Sequence, residues 1–175
     1  MRIPIESSTS YRGRNSRPNL PALLLFVVLA LCAGAVAYWF SPFGSSEAAR
    51  WYGTLVKADW LPPRNWLLPI WGVVYVLMAV AAWIVWRERY HRNRSTAMLA
   101  YSIQLLLNAL WAPLFFGQRN IGLGLFEIVA LWAAVGWTMR DFSRVKFTAG
   151  LLIGLYLVWM TVCVAMALSL WKLNP

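Results

Sequence analysis

The chain has 175 residues, 61% of them apolar and only 13% charged, with a formal net charge of +10. A soluble domain of this length needs more charge to cover its surface, so the composition points to lipid as the solvent. The basic excess does not point to nucleic acid, because the cations fall in separate clusters between apolar runs.

Residues 1–19 are rich in Ser, Arg and Asn and read as a mobile basic N-terminal tail. The first uncharged run, residues 18–46, has 29 residues and predicts a helix over about 20–43. With its basic start and Ala33-Gly34-Ala35 it resembles a signal peptide, but the run is longer than a usual signal core and reads as a retained helix. The only long connection follows, over about residues 44–66. Further uncharged runs at 65–86, 95–118 and 147–171, and a run at 120–139 broken only by Glu127, predict helices over about 66–87, 95–117, 147–171 and 120–140. Each approaches or exceeds the ~20 residues a helix needs to cross a bilayer. None alternates apolar with polar as a barrel strand does. The expected fold is an all-α membrane protein, a five-transmembrane-helix bundle forming one domain over residues 20–174. A long external loop joins helices 1 and 2, and short loops make sequential helices neighbours.

Eleven of the 16 Lys and Arg residues flank one side of these spans: the tail, the 87–94 connection and the 140–146 connection. Arg50, Lys57, Arg64, Arg119 and Lys172 fall on the other. That asymmetry predicts a cytoplasmic N-terminus and an external C-terminus, as in a multi-pass protein of a bacterial inner membrane. Cys32 and Cys163 both lie within spans, where a disulfide is not expected. No Cys/His spacing suits a metal, and the single histidine, His91, sits in a basic loop. No acid–base or metal constellation marks a catalytic residue.

On the third span, Tyr101, Gln104, Asn108, Trp111 and Phe115 recur at three- and four-residue spacing and share a face. Amides are costly in hydrocarbon without partners, so this face points into the bundle. Trp71, Tyr75, Met78, Ala82 and Trp86 share a face on the second span, and Tyr156, Trp159, Cys163 and Leu170 on the fifth. Three such stripes either enclose a flat apolar cavity or act as interfacial anchors and interhelical glue. Trp51, Tyr52, Trp60 and Trp66, stiffened by Pro62-Pro63, suit a lid over a cavity mouth. Glu127 is the only ionisable residue deep in a span, which makes it a functional candidate beside the reading of a neutral or paired structural carboxyl. Gly150 and Gly154 form a GxxxG that permits close helix approach, within the bundle or in a homodimer.

The loop stretch Trp51-Tyr52-Gly53-Thr54-Leu55-Val56-Lys57-Ala58-Asp59-Trp60-Leu61-Pro62-Pro63, the helix with Tyr101, Gln104, Leu105, Asn108 and Trp111, and the ending Trp171-Lys172-Leu173-Asn174 together resemble the tryptophan-rich sensory protein/translocator protein family. Departures from the family pattern are Ala58 in the loop and, on the last span, Leu155, Val162-Cys163 and Met166-Ala167. The latter cluster on the helix that lines the family's ligand pocket. The resemblance implies a ligand-binding membrane sensor or regulator, binding tetrapyrroles such as protoporphyrin or haem, and sterol-like lipids, in a bundle pocket closed by the loop. A transporter of the same ligands, or an enzyme degrading porphyrins in light, are the alternatives. The implied ligand-binding residues are Trp60, Pro62, Pro63, Trp71, Tyr75, Gln104, Asn108, Trp111, Tyr156, Trp159 and Cys163. No cofactor is required; the porphyrin is ligand. The expected partners are that flat apolar molecule and the lipid bilayer.

Overall fold

The computed structural model describes residues 19–175, so the tail assigned to residues 1–19 lies, apart from Asn19, outside the described residues. Within them the regular structure is all helical, with no strand. The helices are α1 Leu20–Phe40, α2 Ser46–Thr54, α3 Arg64–Arg87, α4 Arg94–Ala112, α5 Ile121–Val145 and α6 Phe147–Leu173, with a π-helical turn at Pro113–Gly117 continuing α4. Five of these are long and apolar enough to cross a membrane. With α4 counted together with its π turn, the shortest span is α1, which has 21 residues and runs about 32 Å at 1.5 Å per residue, enough for a hydrocarbon core about 30 Å thick. Exposed Leu24, Val76, Leu106, Phe126 and Val158 cover the outer faces, which suits lipid and not water.

The ends follow local chemistry. α1 stops at Phe40, short of the expected residue 43, because Ser41 precedes Pro42 and is extended (φ −80°, ψ 169°). The long connection is not a bare loop. Its nine-residue α2 is capped by Ser45, whose Oγ accepts from the Ala48 N–H at 3.2 Å, and carries Glu47 in its positive first turn. α5 is capped by Asn120, whose Oδ1 accepts from Leu123 N–H at 2.9 Å. It runs to Val145, beyond the expected 140, through Arg140, Asp141 and Arg144. Asp141 is buried there, accepting from the Trp137 indole at 2.9 Å and from Arg144 at 3.3 Å, so the charged turn remains helical.

The spans form a ring in the order α1, α3, α6, α5, α4, with α4 returning to α1. α4–α5 and α5–α6 are sequential neighbours, as short loops predict, but α3 packs chiefly on α1 and α6 and only lightly on α4. Tyr75, Met78 and Tyr156 project into the space between these helices and meet the amides of α4 there, holding the backbones apart. α5 and α6 make the closest pair. A Cβ on Gly150 would lie 1.9 Å from the Ser143 hydroxyl, so the GxxxG serves packing of α6 on α5 within the bundle.

Candidate functional site

The two ends of the bundle are built differently. At the end away from α2, the interior is alanine and aromatic: Ala81, Ala82, Val85, Ala97, Ala100 and Ala149 are inaccessible to solvent. Tyr101 lies between Phe142 (stacked, 5.9 Å) and Phe26 (edge-on, 6.0 Å). At the α2 end the helices part around a cavity of about 1000 Å³, the upper end of the range for small-molecule sites.

Its walls come from α1 (Gly34, Tyr38), α3 (Trp71, Tyr75), α4 (Asn108, Trp111), α5 (Ile128, Leu131) and α6 (Trp159, Cys163). Trp71 meets Trp159 edge-on at 6.4 Å and Tyr75 at 6.0 Å, and Trp111 stacks on Phe115 at 5.2 Å and 11°. These rings present flat apolar faces in a connected array. The floor is polar. The Tyr75 hydroxyl donates to Asn108 Oδ1 at 2.9 Å, and Asn108 Nδ2 donates to the Tyr156 hydroxyl at 2.9 Å. This satisfies a buried amide in a lipid-surrounded bundle and ties α3, α4 and α6 at one level. Gly34 permits the floor to form, since a Cβ there would lie 2.9 Å from the Tyr75 ring.

α2 and the segment after it cover the mouth. Trp51 packs on Phe115 and Phe116, and Tyr52 on Phe116, with ring centroids 5.5–6.3 Å apart. The π turn begun by Pro113 aims both phenylalanines at α2. Burial in this cluster pushes the Tyr52 hydroxyl above its ordinary pKa of 10.0. Glu47 pairs with Arg119 at the α4–α5 joint, where Arg119 adopts a left-handed φ of 50°. Two cations line the mouth. Lys57 Nζ donates to Leu55 O at 2.9 Å and sits 4.6 Å from the Tyr52 ring centre. Arg64 donates to Pro42 O and lies 4.7 Å from the Phe43 ring centre. No carboxylate is among the lining residues, which are otherwise mostly apolar.

Of the residues expected from the sequence, Pro62, Trp71, Tyr75, Asn108, Trp111, Trp159 and Cys163 line this one cavity. Tyr156 stands behind the wall, fully buried and held by Asn108. Gln104 lies one helical turn from Asn108, buried, its Nε2 directed to Met78 Sδ at 3.4 Å. Pro63 is the N-cap residue of α3, and Trp60 is half-exposed; neither lines the cavity. The indole N–H groups of Trp111 and Trp159 are buried without a hydrogen-bond partner, as are both carboxyl oxygens of Glu127. Cys32 and Cys163 are free, the first exposed and the second buried. Sequence reasoning missed Gly34, Ala35 and Tyr38 of α1 as lining residues. That helix is apolar on every side, so no polar residue marks its inward face. Tyr52 was expected in a lid, but its packing on Phe116 shows only once α2 folds over the two phenylalanines.

Five lipid-length helices closed around an aromatic cavity with an amide floor define a multi-pass helical membrane protein built for an internal chamber. The sequence profile of the TspO/MBR family matches residues 25–172, and the chain belongs to that family. It is 35% identical to Protein CrtK of Rhodobacter capsulatus over 90% of this chain and 95% of that one. It is 36% identical to the tryptophan-rich protein TspO of Chlorobaculum tepidum, over 85% and 97% respectively. The human translocator protein is 32% identical over 77% of this chain and 80% of its own.

Proposed function

We propose that the protein is a membrane sensor or regulator that binds tetrapyrroles of the protoporphyrin or haem type in this cavity, and that the same apolar walls admit sterol-like lipids. One observation carries the reading: Lys57 and Arg64 stand at the mouth of a cavity whose other lining is mainly aromatic and aliphatic and includes no carboxylate. A porphyrin is a large apolar π-face with carboxylates on one edge. Its face suits Trp71, Trp111 and Trp159, and its edge suits two cations at a wet rim. Arg64 and Lys57 already rest on aromatic rings and donate to backbone carbonyls near the mouth, so little side-chain freedom is lost when an anion arrives.

The experiment is a titration of the purified protein with protoporphyrin IX, followed by tryptophan fluorescence. Saturable quenching at one porphyrin per chain is expected. Its persistence at full affinity in a folded Lys57→Gln/Arg64→Gln protein would remove the assignment of the acidic edge to these cations. We further propose, from the clustering of basic residues, that the N-terminus is cytoplasmic and the C-terminus external, in a bacterial inner membrane. A C-terminal alkaline phosphatase fusion is then active; an inactive fusion beside an active cytoplasmic reporter at the same position reverses the orientation.

A further inference from the structure

The cavity's cover has two parts held in different ways. α2 is fixed by apolar contact, through Trp51 and Tyr52 on Phe115 and Phe116. The stretch that follows contributes Lys57, Ala58, Leu61 and Pro62 to the lining and has no helix to stiffen it. Leu55 and Leu61 pack against the edge of the same apolar cluster, and the segment's backbone is tied by hydrogen bonds with Asn174 at the end of α6. Val56 N–H donates to Asn174 Oδ1 at 2.9 Å, and Asn174 Nδ2 donates back to Val56 O at 3.0 Å. One side-chain amide thus pairs with both polar groups of a backbone residue 118 positions away. The same Nδ2 donates to Leu170 O at 2.8 Å, which fixes the amide on the last turn of α6.

We propose that Asn174 is the positioning residue that clasps the 55–62 segment over the cavity, and with it holds the Lys57 cation at the mouth. This rests on reading the cavity as a ligand site and adds the element that controls access to it. The chemistry suits a clasp more than a weld. Both Val56 bonds are exposed, so water competes for the same groups and release costs little, whereas Trp51 and Tyr52 are partly buried against the buried Phe115 and Phe116 and stay. Lys57 is the residue after the clasped one and bonds to the carbonyl of the residue before it. Freeing Val56 therefore loosens the cation and the cover together. The competing role for Asn174 is a plain C-terminal cap of α6, since its backbone N–H and its side chain both reach Leu170 O.

Asn174→Ala, with Asn174→Asp as the conservative partner, separates the two roles. Asp keeps the acceptor for Val56 N–H and loses the donor to Val56 O. The first readout is amide hydrogen exchange of the ligand-free protein. A clasp predicts faster exchange in residues 55–61 for Ala, an intermediate rate for Asp, and unchanged exchange in α2. The second is stopped-flow exchange of protoporphyrin IX. Association and dissociation both quicken in the Ala variant, by about tenfold, equivalent to about 1.4 kcal/mol, while Kd moves far less. Faster exchange confined to the last turn of α6, with 55–61 unchanged, would overturn the clasp in favour of the cap. If wild-type protein fails to bind protoporphyrin IX, the porphyrin reading falls, and hydrogen exchange alone still decides the clasp.

Discussion

The end of the bundle beneath α2 and the opposite end are made from the same helices with similar apolar content, yet one is hollow and the other solid. α3 shows the difference within one element. Its second half presents Ala79, Ala81, Ala82 and Val85, which let neighbouring backbones close until no space remains. Its first half presents Trp71, Gly72 and Tyr75, a pair of rings and a residue with no side chain. Large side chains prop helices apart, and rings that lean on one another along the wall leave the centre open. The amide of Asn108 marks the boundary, where the bundle changes from packed to open. Cavity formation in this bundle thus follows from where small and large residues fall along each helix, and hydrophobicity is not what distinguishes the ends.

The largest expected effect comes from overfilling the solid end. Ala82 is fully buried, and Ala82→Phe should cost about 3 kcal/mol or prevent folding, because a close-packed site cannot yield. Thermal unfolding in detergent measures it; a loss under about 1 kcal/mol would show that this end is not tightly packed. At the boundary, Asn108→Leu removes two interhelical bonds. Membrane hydrogen bonds average about 0.6 kcal/mol, so a loss of about 1 kcal/mol is expected. Lower porphyrin affinity beyond that loss indicates ligand contact at Asn108, and unchanged affinity assigns it to interhelical bonding alone. The smallest effect belongs to the hollow end, on the same helix as Ala82. A Cβ on Gly72 would meet nothing within 4 Å, so Gly72→Ala should gain about 0.5 kcal/mol from helix propensity and leave the fold unchanged. A destabilised Gly72→Ala protein would contradict an open wall at this position.

The sequence carried the five spans well because each is a long apolar run, broken only by Glu127 in the fourth, and bounded by charged residues. It erred where charge is not a sign of solvent. Asp141 and Arg144, past the expected end at 140, read as loop, but Asp141 finds Trp137 and Arg144 within its own helix. It also passed over α2, nine residues whose helicity depends on a serine cap and whose apolar face has meaning only against Phe115 and Phe116. The stripes on α3, α4 and α6 were legible as periodic aromatics and amides, and most of them converge on one cavity. Trp60 illustrates the limit: a tryptophan in a proline-stiffened loop reads as a lid, yet it is half-exposed beside the cover while Lys57, Ala58 and Leu61 line the cavity. Spacing within a loop does not say which side faces inward, since no helical period fixes it.

The most direct test of a cavity with a cationic mouth compares two ligands that differ only at their edge. Protoporphyrin IX and its dimethyl ester share the ring and differ in the two carboxylates. Dissociation constants for both should be measured on wild-type protein and on Arg64→Gln, by fluorescence titration in the same detergent. Wild-type protein should bind the diacid about tenfold more tightly than the diester, the equivalent of about 1.4 kcal/mol, and Arg64→Gln should reduce that preference while binding the ester as before. Equal affinity of wild-type protein for acid and ester would contradict the account.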